Sequence, residues 1–519
     1  MVQAENAAHQ DSRFGADAPA PTARRDGGPG SYTPDTFPRL LAFLLLISFA
    51  GVLECLRLSA LRDADFWWHL RVGDWILANR SWPTSGLFSQ ASGNIWRDFQ
   101  WGFDVIAALT FRALGFRALP ALLIALRAAF AVVSFLLAGG WRGFWGACGL
   151  SVIGQFLVLP LGPGPAFVSL IFFGVELLLL LEIRDSGNFR WLLALPVLFF
   201  FWANVDANFI YGVALLLLFV GATWMEHRKA AGNPLGIERA PAKVSLRMAL
   251  ATFAGCFFAI FLNPYGWHPL FSFLPGRFSL VNDYLPGFKA LGFRQPQDYL
   301  LMLVAMGAFF ALGLRRSRDL FQIAALVAVS ALAFYSRQES GFLVLVSVAV
   351  IGRSLMAADR GAPSHALSDW SPKRLGSLFG AAVLLLVVFW ARVPRDRQPL
   401  LAKIGESFPV RAADFLSRQR QPEPLFNSYA WGGFLMWYLP EYPVAIDARP
   451  GLYSDDERRA YFRAMNADIP YRDCPSMNQA RTLLLEKGNV LAEAFRGVVG
   501  FQLIYEDDIS LVYGRAGDK

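Results

Sequence analysis

Long apolar runs separated by short polar stretches dominate the chain from residue 40 onward. They fall at roughly 40–58, 102–116, 118–138, 143–161, 164–183, 190–205, 208–225, 247–264, 297–314, 319–335, 340–356 and 376–393. A helix needs about 20 residues to cross the hydrocarbon core. The pattern therefore predicts a mostly α, polytopic helical membrane domain over residues 39–393, with about 11–13 spans. The first run reads as an uncleaved signal anchor. Residues 1–38, rich in Ala, Gly, Pro, Asp and Arg, read as a disordered tail. The polar, Trp-rich stretch 61–100 reads as a loop after the first span.

From residue 394 the runs shorten, and a small soluble α/β domain is expected over 394–519. Strands are predicted at Pro424–Phe426, Pro443–Ile446, Val498–Tyr505 and Ser510–Tyr513. Helices are predicted at Val410–Gln419, Asp455–Ala464 and Asn478–Lys487. Glu506-Asp507-Asp508 reads as a hairpin turn.

Basic loops set the expected orientation, because Lys and Arg are retained on the cytoplasmic side. The tail with Arg24, Arg25 and Arg39, the loops 184–190, 227–247 and 315–318, and the loop 353–374 read as cytoplasmic. That places loop 61–100, Asn204–Asn208, Tyr335–Ser340 and the C-terminal domain outside. Four full crossings between 102 and 183 would leave Arg184 on the wrong side, so one run there is re-entrant, broken or fused to its neighbour. Gly162-Pro163-Gly164-Pro165 is a natural break.

Composition supports this reading and narrows it. The chain is 55% hydrophobic and 17% charged, against about 25% charged in soluble chains. Its 46 Phe and 16 Trp suit lipid-facing spans and interfacial belts. The net charge of +8 sits mainly in the loops and signals topology. No basic aromatic patch points to a nucleic-acid partner. Cys55, Cys148, Cys256 and Cys474 show neither C-x-x-C spacing nor a Cys/His cluster, so neither a zinc site nor a disulfide framework is indicated.

Candidate chemistry concentrates just after the first span, in Arg62-Asp63-Ala64-Asp65-Phe66-Trp67-Trp68-His69-Leu70-Arg71. The spacing suits a helix lying in the interface, with Asp65 and His69 on one face. Three readings fit: carboxylates capping a helix anchored by Trp67 and Trp68, a divalent-cation site, or a general base toward a hydroxyl. Arg337, at the end of a span, either carries a functional role or pairs with Glu339. Arg71, and Asn204, Asp206 and Asn208 at the end of another span, are further candidates for a functional site. Asn263-Pro264-Tyr265-Gly266 reads as a span end, Asp447 and Arg449 as a structural ion pair, and Glu176 and Gln155 as interhelical hydrogen-bonding residues.

The segment Asp63–Gly73 resembles the D-x-D-x-W-W-H-L-R-x-G signature of a bacterial family of polytopic membrane proteins. Further matches are Pro83–Ser89 with Trp96 and Trp101, Trp202–Ala207, Asn263–Trp267, Leu425–Trp437 and Ile446–Arg449. Gly86 and Asp206 stand where that family has Asp and His. The family is grouped with GT-C glycosyltransferases, which use polyprenyl-phosphate sugars. The resemblance implies a GT-C-like fold in a bacterial inner membrane. It implies a sugar moved from a polyprenyl-phosphate donor to a glycan, lipid or protein acceptor on the outer face. Asp63 or Asp65 would act as base or metal ligand with His69 nearby, and Mg or Mn would be the divalent cation. Arg337 or Arg71 would clamp the leaving phosphate, and Asn204, Asp206 and Asn208 would contact sugar or metal. Two other classes stay open: a lipid-linked glycan transporter, needing paired ionisable residues deep in several spans, and a non-catalytic scaffold indifferent to Asp63 and Asp65.

Overall fold

The computed structural model describes residues 36–231, 244–271, 284–315, 319–358 and 391–516, with scattered positions between 377 and 390. The N-terminal tail and most of the run 376–393 lie outside the described residues. Among the described residues, six helical segments are long and apolar enough to cross a membrane, and four shorter apolar helices accompany them. The chain is a multi-pass membrane protein with a small mixed sheet at its C-terminus.

Helix α1 (Thr36–Arg57) leads through a 3-10 turn to Asp63. Helices α2 (Phe66–Asn79) and α3 (Trp101–Leu114) pack closely side by side. α3 is joined to α4 (Ala118–Leu137) by a turn at Gly115, whose φ of 58° lies in the region glycine tolerates. The two form one continuous 37-residue apolar segment, so the predicted runs at 102–116 and 118–138 are fused. Helices α5 (Phe144–Leu157) and α6 (Pro165–Ser186) follow.

Contacts between distant residues sort the bundle into two ends. At one end Gly162, between α5 and α6, lies against Asp63, where a Cβ would come 1.7 Å from Oδ2. At the other end Gly352 packs on Ala138, and Arg184 bonds Glu226 and Asp319. Asp185 pairs there with Arg353. With α3 packed along α2, three crossings (α4, α5 and α6) separate Asp63 from Arg184. The parity that four crossings would break is restored.

Helices α7 (Ala194–Val205), α8 (Phe209–Ala231), α9 (Leu246–Ile260), α10 (Pro296–Leu314), α11 (Leu320–Tyr335) and α12 (Ser340–Ala358) complete the described bundle. Asn263 shapes a span end as expected, holding Ile260 and Gly266 carbonyls with its amide and the Tyr265 amide with its oxygen. Gln155 reaches the Leu46 carbonyl across helices. Glu176 does not form its expected bond. Its buried carboxylate sits against Trp202 and Gly212 with no partner among the described residues, because these neighbours offer a ring face and a bare backbone.

In the C-terminal region, helices α13 (Arg397–Ile404) and α14 (Val410–Gln419) precede strand β1 (Leu425–Asn427). Helices α15 (Gly432–Tyr438) and α16 (Asp455–Met465) follow, and the latter carries a Ser454/Glu457 capping box. Strands β2 (Thr482–Glu486), β3 (Phe501–Glu506) and β4 (Ser510–Arg515) complete a sheet of order β1-β2-β4-β3. β1 and β2 are parallel, and β3 and β4 form the predicted hairpin. Asn478–Lys487 is not the predicted helix. Its Thr-Leu-Leu-Leu run is buried throughout and fills the centre of the sheet, a case where a short apolar run is ambiguous by periodicity. Pro443–Ile446 is not a strand either; Val444 makes only an isolated bridge to Ser89.

The C-terminal region docks on α2 through aromatic rings and one glycine, Gly433. Trp67 meets Phe434 and Trp437 at 5.5 and 5.0 Å between centroids, and Phe408 at 5.9 Å. Such pairs add about 0.5–1.5 kcal/mol each beyond burial. Gly433 faces the Ala64 carbonyl and Trp68, while Gly432 faces Ile446 and Asp447. A Cβ on Gly432 would come 2.2 Å from the Ile446 carbonyl oxygen, and backbone cannot yield as a flexible side chain does. Gly432→Ala is expected to cost about 1–3 kcal/mol through overpacking, read as a lower Tm in detergent. Gly497→Ala, where a Cβ meets nothing within 4 Å, should leave Tm nearly unchanged. Equal Tm values for the two variants would show that this close approach is not constraining.

Candidate functional site

Asp63 and Asp65 sit at the start of α2, where the C-terminal region closes over the bundle end. Asp63 Oδ1 accepts the backbone amides of Asp65 (3.1 Å) and Phe66 (2.8 Å), so this carboxylate holds the helix start. The Asp65 side chain makes no such cap bond. Burial raises the Asp63 carboxyl despite those two amides. Crowding by protein pushes Asp65 up to about 7, with the charges of Asp63 and Asp447 adding to it. Asp65 nevertheless has an exposed surface, so it is hemmed in by protein and still reachable by water.

Trp67 and Trp68 do not anchor an interface; both are buried in protein, at 0% and 2% exposure. His69 leaves the carboxylate pair as well. Its Nδ1 lies 2.6 Å from Asp104 Oδ1, and burial lowers its proton affinity well below the ordinary value. Asp98 is buried as well, and burial raises its carboxyl to about 6. A polar chain starts at Asp98, because its Oδ1 accepts the Gln100 amide and the Gln100 side chain donates to Asp206 Oδ1 at 3.0 Å.

Asp206 is buried and fully engaged, its Oδ2 accepting from Ser169 (2.6 Å) and Asn208 (2.7 Å). Asn204 accepts from Trp101 Nε1 and donates to the Phe200 and Leu262 carbonyls. Arg71 lies 4.5 Å over the Phe88 ring with a buried, unpartnered Nε. Arg337 forks onto Asp298 and reaches Gln295, rather than pairing with Glu339, which is buried. The structure thus brings Asp63 and Asp65 together, and ties Asp206 through Gln100 to Asp98. It holds Arg337 in a separate ion pair.

Sequence reasoning missed Asp98, Asp104 and Tyr429, and read Asp447 as structural alone. The expected Asp447–Arg449 pair does form, with Arg449 Nε and Nη2 on the two carboxylate oxygens. Tyr453 donates to Asp447 at 2.8 Å, and Arg449 Nη1 donates to the Leu87 carbonyl of the loop after the first span. Asp98 and Asp104 carried only the W-x-x-x-x-W spacing around them. Asp447 and Tyr429 lay in quoted motifs almost four hundred residues from Asp65. A cleft of about 630 Å³ opens beside this cluster, lined by Asn94, Ile95, Leu452, Tyr453, Ser454 and Glu457.

No family model matches the chain, and no curated protein matches it. Similar solved structures do exist. ArnT from Cupriavidus metallidurans bound to undecaprenyl phosphate is similar at TM-score 0.46 and 13% identity, over 93% of this chain and 98% of ArnT. The apo Archaeoglobus fulgidus oligosaccharyltransferase is similar at TM-score 0.45 and 13% identity, over 86% of this chain and 69% of that one. The same oligosaccharyltransferase in complex with Zn and sulfate gives TM-score 0.43 and 12% identity, over 91% and 73%. Similarity at this level assigns no chemistry, which rests on the residues themselves.

Those residues do not build a metal site on their own. Among the described residues no three His, Cys, Asp or Glu side chains are arranged to hold a metal ion. Asp63 Oδ1 is occupied by two amides, His69 by Asp104, and Asp447 by Arg449.

A carboxyl with raised proton affinity in the fold keeps protons that the unfolded chain, titrating near about 4, releases. Stability therefore falls as pH rises from about 4 to about 7, the value reached by Asp65. Asp65→Asn is expected to lack that fall, so its Tm should gain on the parent across this window and level off above it. A constant Tm difference from pH 4 to 8 would contradict the crowding of this carboxyl.

Proposed function

We propose that the protein is a GT-C-like membrane glycosyltransferase. It moves a sugar from a polyprenyl-phosphate donor to an acceptor hydroxyl on the outer face of the inner membrane, with the C-terminal domain extracytoplasmic. The observation that carries this reading is the Asp63/Asp65 pair: two carboxylates crowded together at a bundle end, reachable by water, and closed over by a second region of the chain. An ordinary surface carboxylate is too weak a base near neutral pH, and one pushed to about 7 is suited to it. The motif resemblance centred on the same two residues supports the substrate class.

In this reading the Asp65 carboxylate takes the proton of the acceptor hydroxyl. The freed oxygen attacks the sugar's C1, the bond from C1 to the phosphate oxygen breaks, and its electron pair leaves on polyprenyl phosphate. Asp63 fixes the start of α2 and raises the proton affinity of Asp65 by its charge. Arg71, with an unpartnered nitrogen six residues along the chain from Asp65, is the residue assigned to the leaving phosphate. The cleft beside Tyr453 gives the acceptor its approach. No step is routed through a metal ion; a divalent cation would enter only with oxygens supplied by substrate and water.

A transporter reading has one observation in its favour. Glu54 and Arg127 form a buried ion pair within the spans, and Glu176 lies unpartnered in another. Turnover separates the two. Asp65→Asn should lose about 10²–10⁴-fold in kcat with a panel of polyprenyl-phosphate sugars, undecaprenyl phosphate carriers first. Activity of the parent should rise as pH passes about 7, and Asp63→Asn should move that rise to lower pH. Unchanged activity in both variants would remove these carboxylates from the reaction, and chelator sensitivity would add a metal to it. Lipid-linked sugar moved across vesicles without transfer would favour transport.

A further inference from the structure

The motif Leu425-Phe426-Asn427-Ser428-Tyr429-Ala430-Trp431-Gly432-Gly433 is almost entirely committed to holding the C-terminal region together. Asn427 donates to the Ser428 and Ile446 carbonyls and accepts from the Ala445 amide. Trp431 donates to the Ser407 carbonyl. Gly432 and Gly433 make room for Asp447 and for Ala64. Tyr429 is the exception: its half-buried hydroxyl has no hydrogen-bond partner among the described residues.

Everything else about Tyr429 is fixed. Its backbone N–H donates to the Tyr461 hydroxyl at 2.7 Å. Its ring packs on Phe462 at 5.3 Å, and Phe462 stacks on Tyr284, from the segment before α10, at 5.4 Å and 3°. The phenol lies in the field of the Asp65 and Asp447 carboxylates, with Arg458 as the countercharge acting on it. A rigidly held side chain with an uncommitted hydroxyl beside a carboxylate pair is arranged for a ligand rather than for the fold.

We propose that Tyr429 is a substrate-contacting residue which the C-terminal region contributes to the Asp63/Asp65 site, binding a hydroxyl of a sugar. This deepens the transferase reading and rests on it. The charge of the surroundings selects the ligand. The Asp65 carboxylate disfavours a phosphate oxygen, whereas a sugar hydroxyl can donate to a carboxylate and accept from the phenol in turn. The phenol ring also offers a flat apolar face of the kind on which pyranose C–H groups rest.

Tyr429→Phe removes only the hydroxyl, leaving the ring contacts and the backbone bond. In full-length protein it should retain the parent Tm and lose about tenfold in kcat/KM, the scale of one hydrogen bond. A second arm needs no turnover. Tyr429 is replaced by p-benzoylphenylalanine, the protein is irradiated with each polyprenyl-phosphate sugar of the panel, and adducts are mapped by mass spectrometry. The same replacement of Asp456, whose side chain is 96% exposed, is the control. Adducts at 429 well above those at 456 are expected. Full kcat/KM in Tyr429→Phe, or equal adducts at the two positions, would overturn the proposal. If the parent protein transfers no sugar, the transferase reading fails, and the crosslink alone decides whether Tyr429 faces a sugar-bearing ligand.

Discussion

Backbone meets backbone where Gly433 faces the Ala64 carbonyl, and the rest of the site depends on that approach. A side chain at Gly433 would hold the C-terminal region off the start of α2, and one at Gly432 would push Ile446 and Asp447 away from the helix that carries both glycines. The Trp67 aromatic cluster then could not close, and Asp447 would not come within range of Asp65. The glycines therefore act at one remove from the chemistry. They set the spacing at which rings pack and like charges are brought together.

That gathering of charge would not be tolerated without compensation. Asp447 is neutralised by Arg449 and held by Tyr453, so it contributes a fixed charge and not a mobile one. Asp104 is held by a His69 kept neutral by burial, and Asp98 accepts the Gln100 amide. Asp63 accepts two amides. Asp65 combines a raised proton affinity with an exposed surface and a side chain that caps no helix. Buried polar networks of this kind are stable when satisfied and costly when broken, which confines reactivity to a member left free.

The two ends of the bundle differ in the same sense. Ion pairs joining Arg184 to Glu226 and Asp319, and Arg353 to Asp185, tie helices at the end away from the site. At the site end the linkers carry Trp, Asn and Asp, and the C-terminal region covers them. Charge pairs fix the one end, and aromatic packing with a polar network fixes the other.

The sequence by itself determined the apolar helices, the Gly162 break, the β3–β4 hairpin and the placing of Asp63 and Asp65 beside the first span. Each of these follows from local chain physics: hydropathy over a helix length, glycine and proline breaking it, or residues adjacent in sequence. It misread Thr482–Glu486, since a buried central strand has no alternation to distinguish it from a helix. It also placed His69 with Asp65, since helical spacing says which residues share a face but not which neighbour that face meets. Only the tertiary structure set His69 on Asp104, Arg337 on Asp298, and Asp447 with Tyr429 beside Asp65. Those partners come from distant parts of the chain, and contact between them is decided by how the helices and the C-terminal region pack.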